Sequence, residues 1–291
     1  MEQERYAGAA VATPLNADLG IDHGALTAHV QKLVADGIDL LTLFGTTGEG
    51  ASFTVAERDA ALAACRSAGI GRDMLGSGIF ALTAADAGAS ARAALESGCG
   101  HVLIAPPSYY KGSDDEGLYR WFSETIEAMG DIPGDVLLYN IPAMTTVGLG
   151  HDLIARIAAA FSGVVTGVKD SSGDWPFTEK LIRERGALKV FVGHDGQVAS
   201  GVRAGSSGSI AGTGNLVPRV IRAIVHDGGE HPELGTLIDE VLTYPIIPAV
   251  KALIAYRTGL PGWASVRAPL SPLGPGQVAP LCARLDALFP N

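Results

Sequence analysis

The chain has 291 residues, 47% of them hydrophobic and 18% charged, and a formal net charge of -10. That length suits one large α/β barrel or two ordinary domains, and the acidic balance without any Lys/Arg cluster argues against a nucleic-acid partner. Cys65, Cys99 and Cys282 are widely separated, so neither a disulfide framework nor a zinc site follows, and no apolar run is long enough to span a membrane.

The N-terminus, Met1-Glu2-Gln3-Glu4-Arg5, lacks the basic-then-apolar order of a secretory signal, so the cytoplasm is the expected compartment. From there, strand-like runs alternate with helix-like segments. The strand candidates are Gly8–Ala12, Leu40–Phe44, Met74–Ser77, His101–Ala105, Val136–Asn140, Val164–Lys169, Val190–Val192 and Gly208–Ala211. Between and after them come 3.6-type patterns over Gly24–Asp36, Val55–Ala68, Ala84–Ser97, Leu118–Met129, His151–Ala160, Phe177–Glu184, Val198–Ala204 and Val217–Val225. Eight strand–helix units predict a (β/α)8 TIM barrel over residues 1–228. A doubly wound open sheet would need a phosphate fingerprint after the first strand, and Thr13-Pro14-Leu15-Asn16 is not one. Three further helices, His231–Tyr244, Pro248–Thr258 and Gln277–Leu288, predict a C-terminal helical extension over residues 229–291.

In such a barrel the chemistry gathers at the C-terminal ends of the strands. The sixth strand candidate ends on Lys169, one of six lysines in the chain. A lysine leaving an apolar strand is partly desolvated, which favours the free amine that attacks a carbonyl. The plain alternative is a strand-end lysine paired with Asp170 or a nearby carboxylate. Lys251, within Ala249-Val250-Lys251-Ala252-Leu253, reads as a helical lysine whose head snorkels outward. After the second strand, Gly45-Thr46-Thr47-Gly48-Glu49-Gly50 can expose successive N–H groups to a carboxylate, or be a simple turn. The other strand ends bring Pro106-Pro107-Ser108-Tyr109-Tyr110, Leu138-Tyr139-Asn140-Ile141-Pro142, Gly193-His194-Asp195-Gly196 and Ile210-Ala211-Gly212-Thr213-Gly214. An amine, a phenol, hydroxyls and an N–H nest at one mouth match imine chemistry on a 2-oxo acid.

Gly45-Thr46-Thr47-Gly48-Glu49, Tyr139-Asn140-Ile141-Pro142 and Gly167-Val168-Lys169-Asp170, in that order and spacing, resemble the dihydrodipicolinate synthase / N-acetylneuraminate lyase family of class I aldolases. The likeness extends over nearly the whole chain, through Pro245–Leu253 and Ala268-Pro269-Leu270. It implies a lyase in which Lys169 forms a Schiff base with pyruvate or a related 2-oxo acid. Tyr139 would be the acid/base, Thr46 would link it to Tyr110 in a proton relay, and Thr47 would hold the carboxylate. The substrate pocket would also take in Gly48, Ile210, Met144, Gly193, Asp195 and Gly212. No metal or organic cofactor is implied. The implied partners are a small 2-oxo acid with an aldehyde or sugar acid. The implied assembly is a homotetramer built from two dimers, with Tyr110 acting in a neighbouring subunit.

The sequence departs from two branches of that family. Lysine-pathway synthases carry an arginine where this chain has Met144, and their effector site falls here on Val55 and Phe80. Sialic-acid lyases carry Asp-Glu in place of Asp195-Gly196 and a serine in place of Gly212. Aspartate semialdehyde is therefore disfavoured as second substrate. A dehydratase of 2-keto-3-deoxy sugar acids, using the same imine, and a non-catalytic 2-oxo acid sensor are the competing readings.

Overall fold

Eight parallel strands close into a barrel in the order β1 to β8, each bonded to its sequence neighbour and β8 back to β1, in a computed structural model that describes residues 4–290. The strands are β1 Tyr6–Ala10, β2 Leu40–Leu43, β3 Leu75–Ile79, β4 His101–Ile104, β5 Asp135–Asn140, β6 Val165–Asp170, β7 Lys189–Val192 and β8 Gly208–Ala211. The predicted TIM barrel is therefore the fold. Most strand limits shift by a residue or two. β1 shifts most, because Val11 and Ala12 continue the apolar run past the last ladder residue, with the Val11 N–H still reaching the Thr42 carbonyl at 3.0 Å.

The barrel is wrapped by α1 His23–Ala35, α2 Val55–Ser67, α3 Ala84–Glu96, α4 Asp115–Met129, the short α5 Pro142–Thr145, α6 His151–Ala160, α7 Trp175–Glu184, α8 Val198–Ala204 and α9 Pro218–Asp227. Several starts are fixed by side-chain caps on the free N–H groups of the first turn. Asp22 caps α1, Thr54 with Glu57 forms a capping box on α2, Thr83 caps α3, and Asp114 caps α4. The Asp114 cap places the start of α4 at Asp115, three residues before the apolar periodicity begins at Leu118.

Strand side chains alternate between two cores. Ala9, Leu41, Val102, Ile104, Leu138, Val168, Val190 and Val192 point outward to the helices. Ala10, Leu40, Leu103, Leu137, Tyr139, Phe191 and Ile210 point inward and fill the barrel. After α9, helices α10 Pro232–Val241, α11 Ile246–Thr258 and α12 Pro275–Leu288 form a third apolar cluster around Trp263, Leu237, Leu253 and Leu285, joined by Ala12 just past the end of β1. That contact seats the last three helices against the C-terminal end of the strands. No described helix is long and apolar enough to cross a membrane.

Candidate active site

β5 and β6 pair in register, Tyr139 opposite Lys169 and Asn140 opposite Asp170. Alternation then sends the first pair into the barrel and the second pair out. Lys169 and Tyr139 are almost wholly buried, 3% and 1% exposed. The Lys169 Nζ donates to the Tyr139 hydroxyl at 3.3 Å and lies 4.5 Å from the centre of its ring. Thr46, on the loop after β2, brings its hydroxyl to 3.2 Å from the same phenol oxygen. Phe80 meets the Tyr139 ring edge-on, with centroids 6.4 Å apart.

The outward pair makes a clamp. The Asn140 side-chain amide donates to Asp170 Oδ1 at 2.7 Å, and its oxygen accepts from the Leu149 N–H at 2.9 Å. Asp170 Oδ2 accepts from the hydroxyls of Ser172 at 2.9 Å and Thr178 at 2.5 Å. The Asp170 carboxylate is thus satisfied by neutral donors, and the expected alternative of a Lys169–Asp170 pair does not occur. Sequence reasoning missed Asn140 as a structural partner, although an Asn directly before the Ile141-Pro142 break was a signal for a local tie.

The loop Gly45–Gly50 is shaped by two left-handed residues, Phe44 at φ 54° and Glu49 at φ 55°. Its turn bonds run from the Glu49 and Gly50 N–H groups to the Thr46 and Gly45 carbonyls. A side chain at Gly50 would meet the Phe44 carbonyl oxygen at 1.8 Å, and one at Gly48 would meet the Val11 oxygen at 2.6 Å. Glycine is required at both places for close backbone approach. Glu49 is buried, and its carboxylate takes the Lys251 ammonium on one oxygen and the Arg267 N–H, at 2.9 Å, on the other. Lys251 therefore does not snorkel outward: its side chain is wholly enclosed. Burial lowers its pKa, with Glu49 pulling in the opposite direction. Residues 248–254 are buried on every side and hold no other polar side chain, so Lys251 has no solvated face to turn to.

A cavity of about 150 Å³ opens above this cluster. Thr46, Thr47, Tyr139, Met144, Lys169, Gly193, Asp195 and Gly212 all line it, as do Ser171, His194 and Thr213. Gly193 leaves room for the amine, since a side chain there would meet Lys169 Cε at 2.8 Å and Ser171 Oγ at 2.0 Å. Asp195 Oδ1 accepts from the Thr213 N–H at 2.8 Å and from the Thr213 hydroxyl. Gly212 lies beside the Thr47 hydroxyl, within ordinary contact of any added methyl. Ile210 and Gly48 are near neighbours but not part of the wall: Ile210 is fully buried in the inner barrel layer. Tyr110 stands apart, 72% exposed and packed edge-on against Tyr109 at 5.3 Å, away from the cavity of its own chain. A second cavity, of about 350 Å³, lies at the opposite end of the barrel. Its Lys189 is matched by Asp135 at 3.7 Å, and it holds none of the strand-end motifs.

Comparison with known proteins gives this geometry its family. The profile of the Dihydrodipicolinate synthetase family matches residues 5–285. The chain belongs to that family. Its relatives include an uncharacterized DapA-like lyase of Chloroflexus aurantiacus, 33% identical over 99% of this chain and 98% of the relative. A 4-hydroxy-tetrahydrodipicolinate synthase of Sorangium cellulosum is 32% identical, covering 96% and 95%. Among solved structures, the dihydrodipicolinate synthase of Agrobacterium tumefaciens str. C58 superposes with a TM-score of 0.94 at 41% identity, covering 97% of this chain and 98% of that one. The protein is accordingly a lyase of the dihydrodipicolinate synthetase family.

Proposed function

We propose that the protein makes or breaks a carbon–carbon bond through an imine between Lys169 and pyruvate or a related 2-oxo acid. The observation that carries this reading is a buried amine 3.3 Å from a phenol that is itself 3.2 Å from a threonine hydroxyl. The free amine of Lys169 adds to the ketone carbon, and loss of water leaves the imine. Tyr139 is placed to give a proton to the departing oxygen and to take one from the carbon next to the imine, which generates the enamine. The Thr47 hydroxyl, with the Thr47 N–H that the turn does not use, would hold the 2-oxo acid carboxylate. The chemistry so drawn needs no metal or organic cofactor. The relay would extend from Thr46 to Tyr110 of a second copy, because Tyr110 of the same chain projects away.

The decisive experiment is reductive trapping. Borohydride with pyruvate should attach one reduced adduct, mapped by peptide mass spectrometry to Lys169. No adduct, or an adduct on Lys251 or another lysine, would remove the mechanism.

A further inference from the structure

The cavity has two unlike sides. Its polar side comes from the barrel: Thr46, Thr47, Tyr139, Lys169 and Ser171. Its other side is Ile141, Met144, Ile238, Leu242, Ile246 and Val250, contributed by the end of β5, by α5 and by the α10–α11 hairpin. Met144 and Leu242 are each 48% exposed, two large apolar side chains standing at the opening. Among the described residues, Lys169 is the one Lys or Arg in the wall and Asp195 the one carboxylate, and one oxygen of Asp195 already serves Thr213. His194 contributes ring surface, but its Nδ1 is buried away from solvent and without a hydrogen-bond partner.

The 2-oxo acid, once joined to Lys169, occupies the polar side. The second reactant must then lie against the apolar side. A carboxylate there would find no cation of this chain's wall to receive it, and a polyhydroxylated chain would set its hydroxyls against isoleucine and leucine. A hydrocarbon tail instead covers the exposed Met144 and Leu242 and gains from leaving water.

We infer that the second substrate is an apolar aldehyde, carrying neither a carboxylate nor a run of hydroxyls. The inference rests on the imine reading of Lys169. In the bond-forming direction the enamine carbon attacks the aldehyde carbon, and the carbonyl electron pair becomes an alkoxide that takes a proton from Tyr139. Water then adds to the imine and releases the Lys169 amine with a 4-hydroxy-2-oxo acid bearing the apolar tail. Cleavage is the same sequence reversed.

The test pairs trapping with a panel on the intact protein. Pyruvate-dependent consumption of 3-methylbutanal and benzaldehyde is compared with that of glyceraldehyde and succinic semialdehyde. Product is identified by mass spectrometry. The apolar aldehydes should lead in kcat/KM by roughly tenfold or more, the lower end of what one well-placed apolar group discriminates. Met144→Arg should narrow or reverse the preference toward succinic semialdehyde while leaving the pyruvate adduct in place. Adduct formation with a preference for either polar aldehyde, or with no apolar aldehyde consumed, overturns this inference and leaves the imine standing. Absence of any adduct overturns the imine reading and this inference with it.

Discussion

Replacing Lys251 with methionine should destabilise the protein by leaving a carboxylate stranded. Glu49 and Lys251 have no exposed side-chain area, and without the ammonium Glu49 keeps the Arg267 N–H as its remaining partner. Removing one member of a buried ion pair costs roughly 3–5 kcal/mol, because the other charge stays desolvated. With an unfolding entropy of about 2.1 cal/mol/K per residue, a chain of this length has ΔS near 0.6 kcal/mol/K, so Tm should fall by roughly 5–8 °C. The double variant Glu49→Gln, Lys251→Met should recover most of that loss, since no charge is left buried. The assay is thermal unfolding at pH 7 of wild type, both single variants and the double, with kcat on any active substrate. Turnover should drop in the single variants more than the population of folded protein explains, since Glu49 anchors the loop that carries Thr46 and Thr47. A Lys251→Met variant within about 1 °C of wild type, or a double variant as unstable as the two losses added, would refute the reasoning.

Three further outcomes follow from the geometry. Gly193→Ala should lower turnover by about 100-fold or more with the fold intact by circular dichroism, because an ångström-scale displacement of a reacting group carries such a cost and the new methyl would meet Lys169 Cε at 2.8 Å; unchanged kcat would show that the amine has room to move aside. Mixing the inactive variants Lys169→Ala and Tyr110→Phe should restore activity if Tyr110 acts in a neighbouring subunit, since one hybrid site is then intact; no recovery in samples shown to exchange subunits would place the tyrosine elsewhere. Burial pushes His29 and His101 down to about 4, opposed for His29 by its bond to Asn215, so the folded protein holds both neutral. The stability they contribute is full above the unfolded value of about 6.5 and is lost as pH falls from there toward 4, about 2 kcal/mol for each by pH 5. His101→Gln should flatten the decline in Tm between pH 6.5 and 5, and an unchanged slope would contradict the assignment.

The barrel and the inner part of the site were legible because each rested on a local pattern. Apolar runs leading into Lys169 and Tyr139 marked two strand ends, and a parallel barrel puts all such ends at one mouth. What escaped the sequence was pairing across distance. The Glu49–Lys251 contact joins residues 202 positions apart. A helical lysine reads as solvated by default, yet the stretch 246–254 offers no other polar side chain, which is itself a sign of an enclosed charge needing a partner. The apolar wall was hidden for the same reason: Met144 and Leu242 lie in different segments, and neither pattern says that α10 folds over the mouth. Tyr110 is the opposite case: it is exposed and lies outside the cavity of its own chain, so nothing in its local pattern or its own fold assigns it a place in the site.

The alternation of β5 and β6 has a consequence for how these strands tolerate change. Tyr139 and Lys169 occupy one rung and face the cavity, while Asn140 and Asp170 occupy the next and hold the strand ends together. Position along the strand thus sorts chemistry from cohesion with a period of two. A saturation scan of residues 136–140 and 165–170, scored separately for cellular abundance and for turnover per molecule, should trace two combs out of phase. The teeth of one comb fall at 139 and 169, where activity disappears from protein that still accumulates. The teeth of the other fall at 140 and 170, where the protein itself is lost first.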